Sequence, residues 1–157
     1  MSHIASQVYV PSVAVLGSRD QLCPNPALSD CAGREKQKRC QCMVENDDCK
    51  YYKKFVEKKS LIVELPAKSK RGYYDIEDWM KEGTQEKFCP FFASRSTLSD
   101  AQLIVVPYEV ALDPKSFLLL EPYIKDSIII VEDADLFESH ILQVLSSYPE
   151  QKYSHHT

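Results

Sequence analysis

Glycine occurs at only four places in this chain, positions 17, 33, 72 and 83, and none is followed by Lys-Ser or Lys-Thr. The phosphate-cradling pattern GxxxxGK[ST] is therefore absent, and with it the backbone nest that holds nucleotide phosphates. No CxxC pair is present either. Structural zinc sites usually draw ligands in such close pairs, so the common zinc patterns are disfavoured. The chain also lacks any run of 18 apolar residues, the length a membrane-spanning helix needs. Its first residues, MSHIASQVYVPSVAVLG, lack a basic start and are broken by Ser, Gln, Tyr and Pro, so they do not read as a signal peptide. An excess of positive charge is missing too: the formal net charge is −4 and the pI about 5.6. No global basic field can drive nucleic-acid binding, and any such contact must come from a local patch.

What is present fits one folded unit. A length of 157 residues with 44% hydrophobic content suffices for a core. An intracellular setting is expected, where six cysteines are better read as metal ligands or buried thiols than as disulfides. The basic residues cluster: REKQKR at 34–39, five lysines within 50–59, and KSKR at 68–71. Such runs are usually solvated faces, but their confinement to the cysteine-bearing half favours a path for a polyanion.

Residues 8–17, VYVPSVAVLG, form a β-branched apolar run that reads as a buried strand despite Pro11. From Cys23 to about Gly72 the chain is polar and lysine-rich, with apolar islands only at YYKKFV and LIVEL. Such a stretch buries little surface and needs a staple, for which thiolate-held metal is the obvious choice. DIEDWMKEG, residues 75–83, predicts a short helix capped by Asp75 and stopped by Gly83, and CPFF predicts a second helix opening at Pro90. LIVVPYEVAL (103–112) and SIIIVEDA (127–134) are continuous apolar runs of the kind found in sheets covered on both faces. DPKSFLLLEPYIKD between them supplies a crossover, and ESHILQVLSSY reads as an amphipathic helix. The expected class is α/β, a sheet fragment interrupted by a cysteine-rich insertion.

Four phrases carry the chemistry: LGSRDQLC at 16–23, CKYY from Cys49, CPFF from Cys89, and IIIVEDAD ending at Asp135. In that order, over about residues 12–139, they resemble the iron-sulfur DNA helicases of superfamily two. HIASQV at 3–8 is similar to the end of an earlier motif of that family. The resemblance implies a fragment of a RecA-like parallel sheet (1–18 and 99–139) with a mainly helical iron-sulfur domain (19–98) inserted, followed by a tail (140–157). It implies a 4Fe-4S cluster on Cys23, Cys40, Cys49 and Cys89, soft thiolates being suited to such centres. For the second ligand, Cys40 has the family spacing, with Cys42 and Cys31 as substitutes. Arg19 and Arg95 would lie by the cluster near DNA, where a planar guanidinium can meet a phosphate. Tyr51, Tyr52, Phe91 and Phe92 either pack around a cluster or stack on bases, packing being the more common role.

The acidic box departs from the family. Where the helicase pattern has Asp-Glu-Ala-His, this chain has Glu132, Asp133, Ala134 and Asp135. The two acids are exchanged, so the magnesium-side group, Glu132, is one methylene longer and the water-orienting group, Asp133, one shorter. Oxygens move by roughly 1 Å, enough to cost on the order of a hundredfold in a positioned reaction. Asp135 replaces the coupling histidine. The expectation is therefore a fragment or reduced relative of an ATP-dependent helicase of DNA repair or genome maintenance. It would keep its cluster and contacts to single-stranded or forked DNA, and to DNA repair proteins, with Mg-ATP used only in a complete motor. It would be nuclear in a eukaryote and independent of membranes. The competing expectation is a non-catalytic module whose cysteines hold zinc or a cluster and whose basic loops engage nucleic acid or protein.

Overall fold

The structure, a computed structural model, describes residues 11–147. The motif expected at 3–8 and the first residues of the expected strand, 8–10, lie outside the described residues, as does the end of the tail. The chain divides into two compact units, residues 1–106 and 107–157.

In the first unit a short strand β1 (Val13–Val15) pairs in parallel with β2 (Leu103–Val105), Ala14 opposite Ile104. Parallel partners need a long crossover, and here it is the whole cysteine-bearing segment. Leaving β1, Ser18 caps helix α1 (Arg19–Leu22) in a reciprocal capping box with Gln21. A 3-10 turn (Pro26–Leu28) leads to α2 (Gly33–Glu45), and Cys49 opens α3 (Lys50–Glu57). Two single-turn helices follow, α4 (Lys59–Ile62) and α5 (Leu65–Lys68). Then come α6 (Ile76–Glu86), capped by Asp75 as expected, and α7 (Pro90–Arg95), with Pro90 at its start.

The core of this unit is aromatic. Trp79 and Phe88 are almost fully enclosed and meet edge to face, with centroids 6.5 Å apart. Leu22, Phe55, Ile62, Phe91 and Ala93 join the same cluster, each large apolar side chain contributing about 1.5–3 kcal/mol on burial. This core draws α1, α3, α6 and α7 together from positions up to seventy residues apart in sequence.

Gly83 does not stop its helix. α6 continues to Glu86 and ends at Lys87, which takes the left-handed conformation (φ 63°). The absence of a side chain at Gly83 serves close packing instead: a Cβ there would lie 2.3 Å from Cγ and 2.8 Å from Cδ of Pro90. Sequence punctuation alone does not distinguish a capping glycine from a contact glycine.

The second unit contains α8 (Tyr108–Ala111), α9 (Pro114–Ile124), capped by Asp113, and α10 (Ala134–Ser147). The segment expected as a crossover is helical, and the expected amphipathic helix forms. The strand expected over 127–134 does not: among the described residues this segment has no ladder partner, and Ile128 and Ile130 are 91% and 85% exposed. A strand is defined by its neighbours, and the described chain supplies a partner only for β2. The α/β expectation is met by a mostly helical chain with a two-stranded parallel sheet.

Replacing Gly83 by Ala should destabilise the protein by about 1–3 kcal/mol, the usual cost of overpacking against a rigid neighbour. Chemical unfolding followed by circular dichroism should show a lowered midpoint; an unchanged midpoint would mean that the α6–α7 contact yields freely.

Candidate functional site: a quartet of thiols

Each of four cysteines is delivered by a different local device. Cys23 ends α1, Cys40 lies within α2, and Cys49 and Cys89 occupy the positions immediately before α3 and α7. Cys40, Cys49 and Cys89 are buried and Cys23 is half-buried. Two of the thiols are raised: negative charge on Cys23, Cys49 or Cys40 would raise Cys89, and charge on Cys40 or Cys49 would raise Cys23. Burial is the larger effect in both cases, and it pushes the Cys89 thiol up to about 12. Backbone N–H groups oppose it, Phe92 donating to Cys89 and Asn25 to Cys23. The Asn25 side chain also donates to Sγ of Cys49 at 3.7 Å.

The other two cysteines differ in setting. Cys31 is buried against Leu28 and Cys40 and donates to the Leu28 carbonyl at 3.6 Å, while Cys42 is exposed and accepts from Asn46 at 3.2 Å. Of the three cysteines considered for the second position, Cys40 is the one whose charge reaches both Cys23 and Cys89. Among the described residues no three His, Cys, Asp or Glu side chains converge closely enough to hold a single metal ion.

Beside the quartet lies an arginine–aromatic stack. The guanidinium carbons of Arg19 and Arg95 sit 4.0 Å and 3.5 Å from the centroid of Phe91. Arg95 donates to the carbonyls of Phe91 and Gly17, each at 3.1 Å. Arg19 Nε is buried without a hydrogen-bond partner among the described residues. Tyr52 and Phe92 pack on each other with centroids 4.6 Å apart, and Tyr51 also borders the core. Much of the basic run is paired locally: Arg39 with Asp30 (2.9 Å), Lys53 with Asp47 (2.7 Å) and Lys68 with Glu64 (3.0 Å). Lys50, Lys54, Lys58 and Lys59 form no ion pair among the described residues.

The acidic box belongs to the second unit and is described by itself. Glu132, Asp133 and Asp135 are all exposed. Asp133 adopts a left-handed conformation (φ 49°), and its carbonyl receives the Leu136 N–H at 2.8 Å. Tyr108 donates its hydroxyl to the Glu132 carbonyl and packs against Phe137 and His140. Desolvation, followed by the charges of Asp133, Glu132 and Asp135, holds the Tyr108 phenol above its ordinary range. Sequence reasoning missed Tyr108, which sits in an apolar run with no neighbouring signal. It also missed Asn25 and Lys36, although Lys36 stands one helical turn before Cys40.

A parallel strand pair, interrupted by a thiol-gathering helical segment and followed by an acid-ended apolar run, has the order of elements of a superfamily-two helicase, and likeness to known proteins agrees. Residues 3–152 match DEAD_2, and the chain belongs to that family. It is 35% identical over 135 residues to regulator of telomere elongation helicase 1 of Bos taurus, covering 85% of this chain and 11% of that protein. The Homo sapiens protein of the same name is 33% identical over 135 residues, with 85% and 11% covered. The Aedes aegypti homolog is 36% identical over 121 residues, with 76% and 12% covered. The chain thus spans about a tenth of the length of these curated relatives.

In the metal-free protein the raised Cys89 thiol has a consequence for stability. Unfolded, it ionises near the ordinary value of 9.0; folded, it holds its proton to about 12. Between those values the native state binds more protons than the unfolded one, so stability falls as pH rises. Metal-free protein should lose stability progressively from about pH 9 towards 12, and a Cys89→Ala variant should show a shallower slope in the same range. Equal slopes in urea titrations of the two proteins would remove Cys89 as the cause.

Proposed function

We propose that this chain is the cluster-bearing part of an ATP-dependent DNA helicase serving DNA repair or genome maintenance, with flanking motor segments. In this reading residues 19–98 are an iron-sulfur domain set between motor segments 1–18 and 99–139, with a tail at 140–157. Cys23, Cys40, Cys49 and Cys89 hold a 4Fe-4S cluster.

The burial of Cys40, Cys49 and Cys89 and the half-burial of Cys23, in a chain of the DEAD_2 family, support the proposal. Their surroundings fit the group. The thiols are largely shielded from water, and N–H donors from Asn25 and Phe92 point at sulfur, the kind of hydrogen bond that stabilises cluster thiolates. A zinc ion bound at about 2.3 Å would need its sulfurs to converge on one point. A four-iron cluster is broader and takes each thiolate at its own corner. When bound, it would act as a rigid staple for a segment whose own apolar content is small.

Nucleic acid is the natural partner of the adjoining surface. Arg19 is half-buried and forms no hydrogen bond or ion pair among the described residues, whereas Arg95 directs its terminal nitrogens to backbone carbonyls. Arg19, with the unpaired lysines of α3 and α4, is therefore the best candidate for phosphate contact, and Arg95 acts through Phe91. Single-stranded or forked DNA follows from the helicase relationship, as do repair proteins as further partners. In a complete motor with Mg-ATP, Glu132 would face magnesium and Asp133 the attacking water, with Asp135 at the coupling position. The exchange of acids implies slow turnover.

Purified without oxygen, the protein should be brown and contain iron and sulfide close to one four-iron cluster per chain. Serine at Cys23, Cys40, Cys49 or Cys89 should abolish the colour, whereas Cys31→Ser should keep it. Colourless protein that binds one zinc tightly would support the binding-module reading instead. Single-stranded DNA should bind weakly, with little sequence preference and steep loss as salt rises. Anisotropy titrations that show no salt dependence, or an Arg19→Ala variant that keeps its cluster and binds like the parent, would argue against the phosphate path.

A further inference from the structure

We propose that Lys36, set one helical turn before Cys40 on the inner face of α2 and leashed to Asp20 of α1, is the charge that sets the electron affinity of the cysteine site. This rests on the cluster reading above and goes beyond it by assigning a tuning residue that is not a ligand.

Lys36 is unusual within its own run. Its basic neighbour Arg39 points outward to Asp30, but Lys36 is one of two buried polar or charged residues in the described chain, its side chain only 11% exposed. A lysine is almost never so enclosed unless paired. Its partner is Asp20, with Nζ 3.3 Å from Oδ1. The same carboxylate receives the N–H of Gly33 at 2.9 Å and 3.2 Å, which fastens α1 to the start of α2.

Stability does not account for the pair. Enclosing an ammonium costs several kcal/mol, which one contact to a carboxylate does not reliably recover. Its placement has an electrostatic consequence. The Asp20 side chain is 43% exposed and that of Lys36 11%, so water screens the negative partner more than the positive one. The interior side of α2, where Cys40 lies buried, therefore sees a net positive field. Lys36 and Cys40, four residues apart, lie together on the buried face of α2.

Reduction of a thiolate-held cluster takes up one electron from an external donor and breaks no bond, adding one negative charge to a site that is already negative. A nearby enclosed cation favours that product. Loss of the cation should make reduction harder, and loss of the screening carboxylate should make it easier.

The test uses the 157-residue protein with its cluster, purified without oxygen, and compares the parent with Lys36→Met, Lys36→Arg and Asp20→Asn. Asparagine retains an oxygen for the Gly33 N–H and removes only the charge. Iron content and the midpoint potential, from mediated titration followed by electron paramagnetic resonance, are the readouts. Lys36→Met should shift the reduction equilibrium against the reduced state by on the order of tenfold, about 59 mV for one electron. Asp20→Asn should shift it the opposite way, and Lys36→Arg should stay near the parent. Cluster-bearing variants whose potentials do not move, or move in the same direction, would overturn the proposal, since a purely structural lock predicts no opposed shifts. If Lys36→Met loses its iron, the Asp20→Asn potential decides alone: a rise supports the assignment, and no change overturns it. A parent protein without iron would overturn the cluster reading and this inference together, whereas an iron-bearing parent with unmoved variants would overturn only the inference.

Discussion

Phe91 is the point on which the first unit closes. The chain leaves the sheet at Gly17 and returns near Arg95, and between them lies the whole cysteine-bearing excursion. Two guanidiniums, one from each end, rest on the same ring, and Arg95 also donates to the Gly17 carbonyl across 78 residues. Ordering so long a loop is costly in entropy, and the tie lies where exit and return meet. The return helix carries Cys89 at its start and the exit helix carries Cys23 at its end, so one contact both closes the loop and brings two thiols into register.

Inside that loop the governing problem is charge. Four sulfurs that feel one another are shielded from water, an arrangement that favours protonated thiols unless something compensates for ionisation. The structure supplies compensation from several directions. N–H groups of Asn25 and Phe92 face sulfur, the starts of α3 and α7 follow Cys49 and Cys89, and the Lys36 ammonium lies on the cysteine-bearing face of α2. The aromatic core of Trp79, Phe88 and Phe91 keeps those groups in place without contributing polarity of its own.

The second unit solves a different problem with fewer means. Its acidic run contains a left-handed residue, Asp133, and is held by a hydroxyl from Tyr108 to the Glu132 carbonyl. The carboxylates remain in solvent, as groups that need a cation or water to act upon would. The exchange of Glu132 and Asp133 alters reach rather than charge, whereas Asp135 in place of the pattern's histidine also alters charge.

Local rules read from the sequence were enough for two capped or opened helices and an amphipathic one: Asp75 as N-cap, Pro90 at a helix start, and the run at 138–148 whose described part falls in α10. The flanked cysteine phrases were enough to suggest the family. These signals act within a turn or two of chain, where capping and backbone stereochemistry leave little choice. Other features depended on which distant segments meet. Gly83 turned out to be a contact with Pro90 rather than a stop, and 127–134 lacked the neighbours that make an apolar run a strand. Cys31 and Cys40 were buried together while Cys42 stayed exposed, and Lys36 alone of its basic run turned inward. A linear pattern records residue types and spacing, but burial, electrostatic reach and pairing are set by atoms remote in sequence, so only the tertiary structure could decide them.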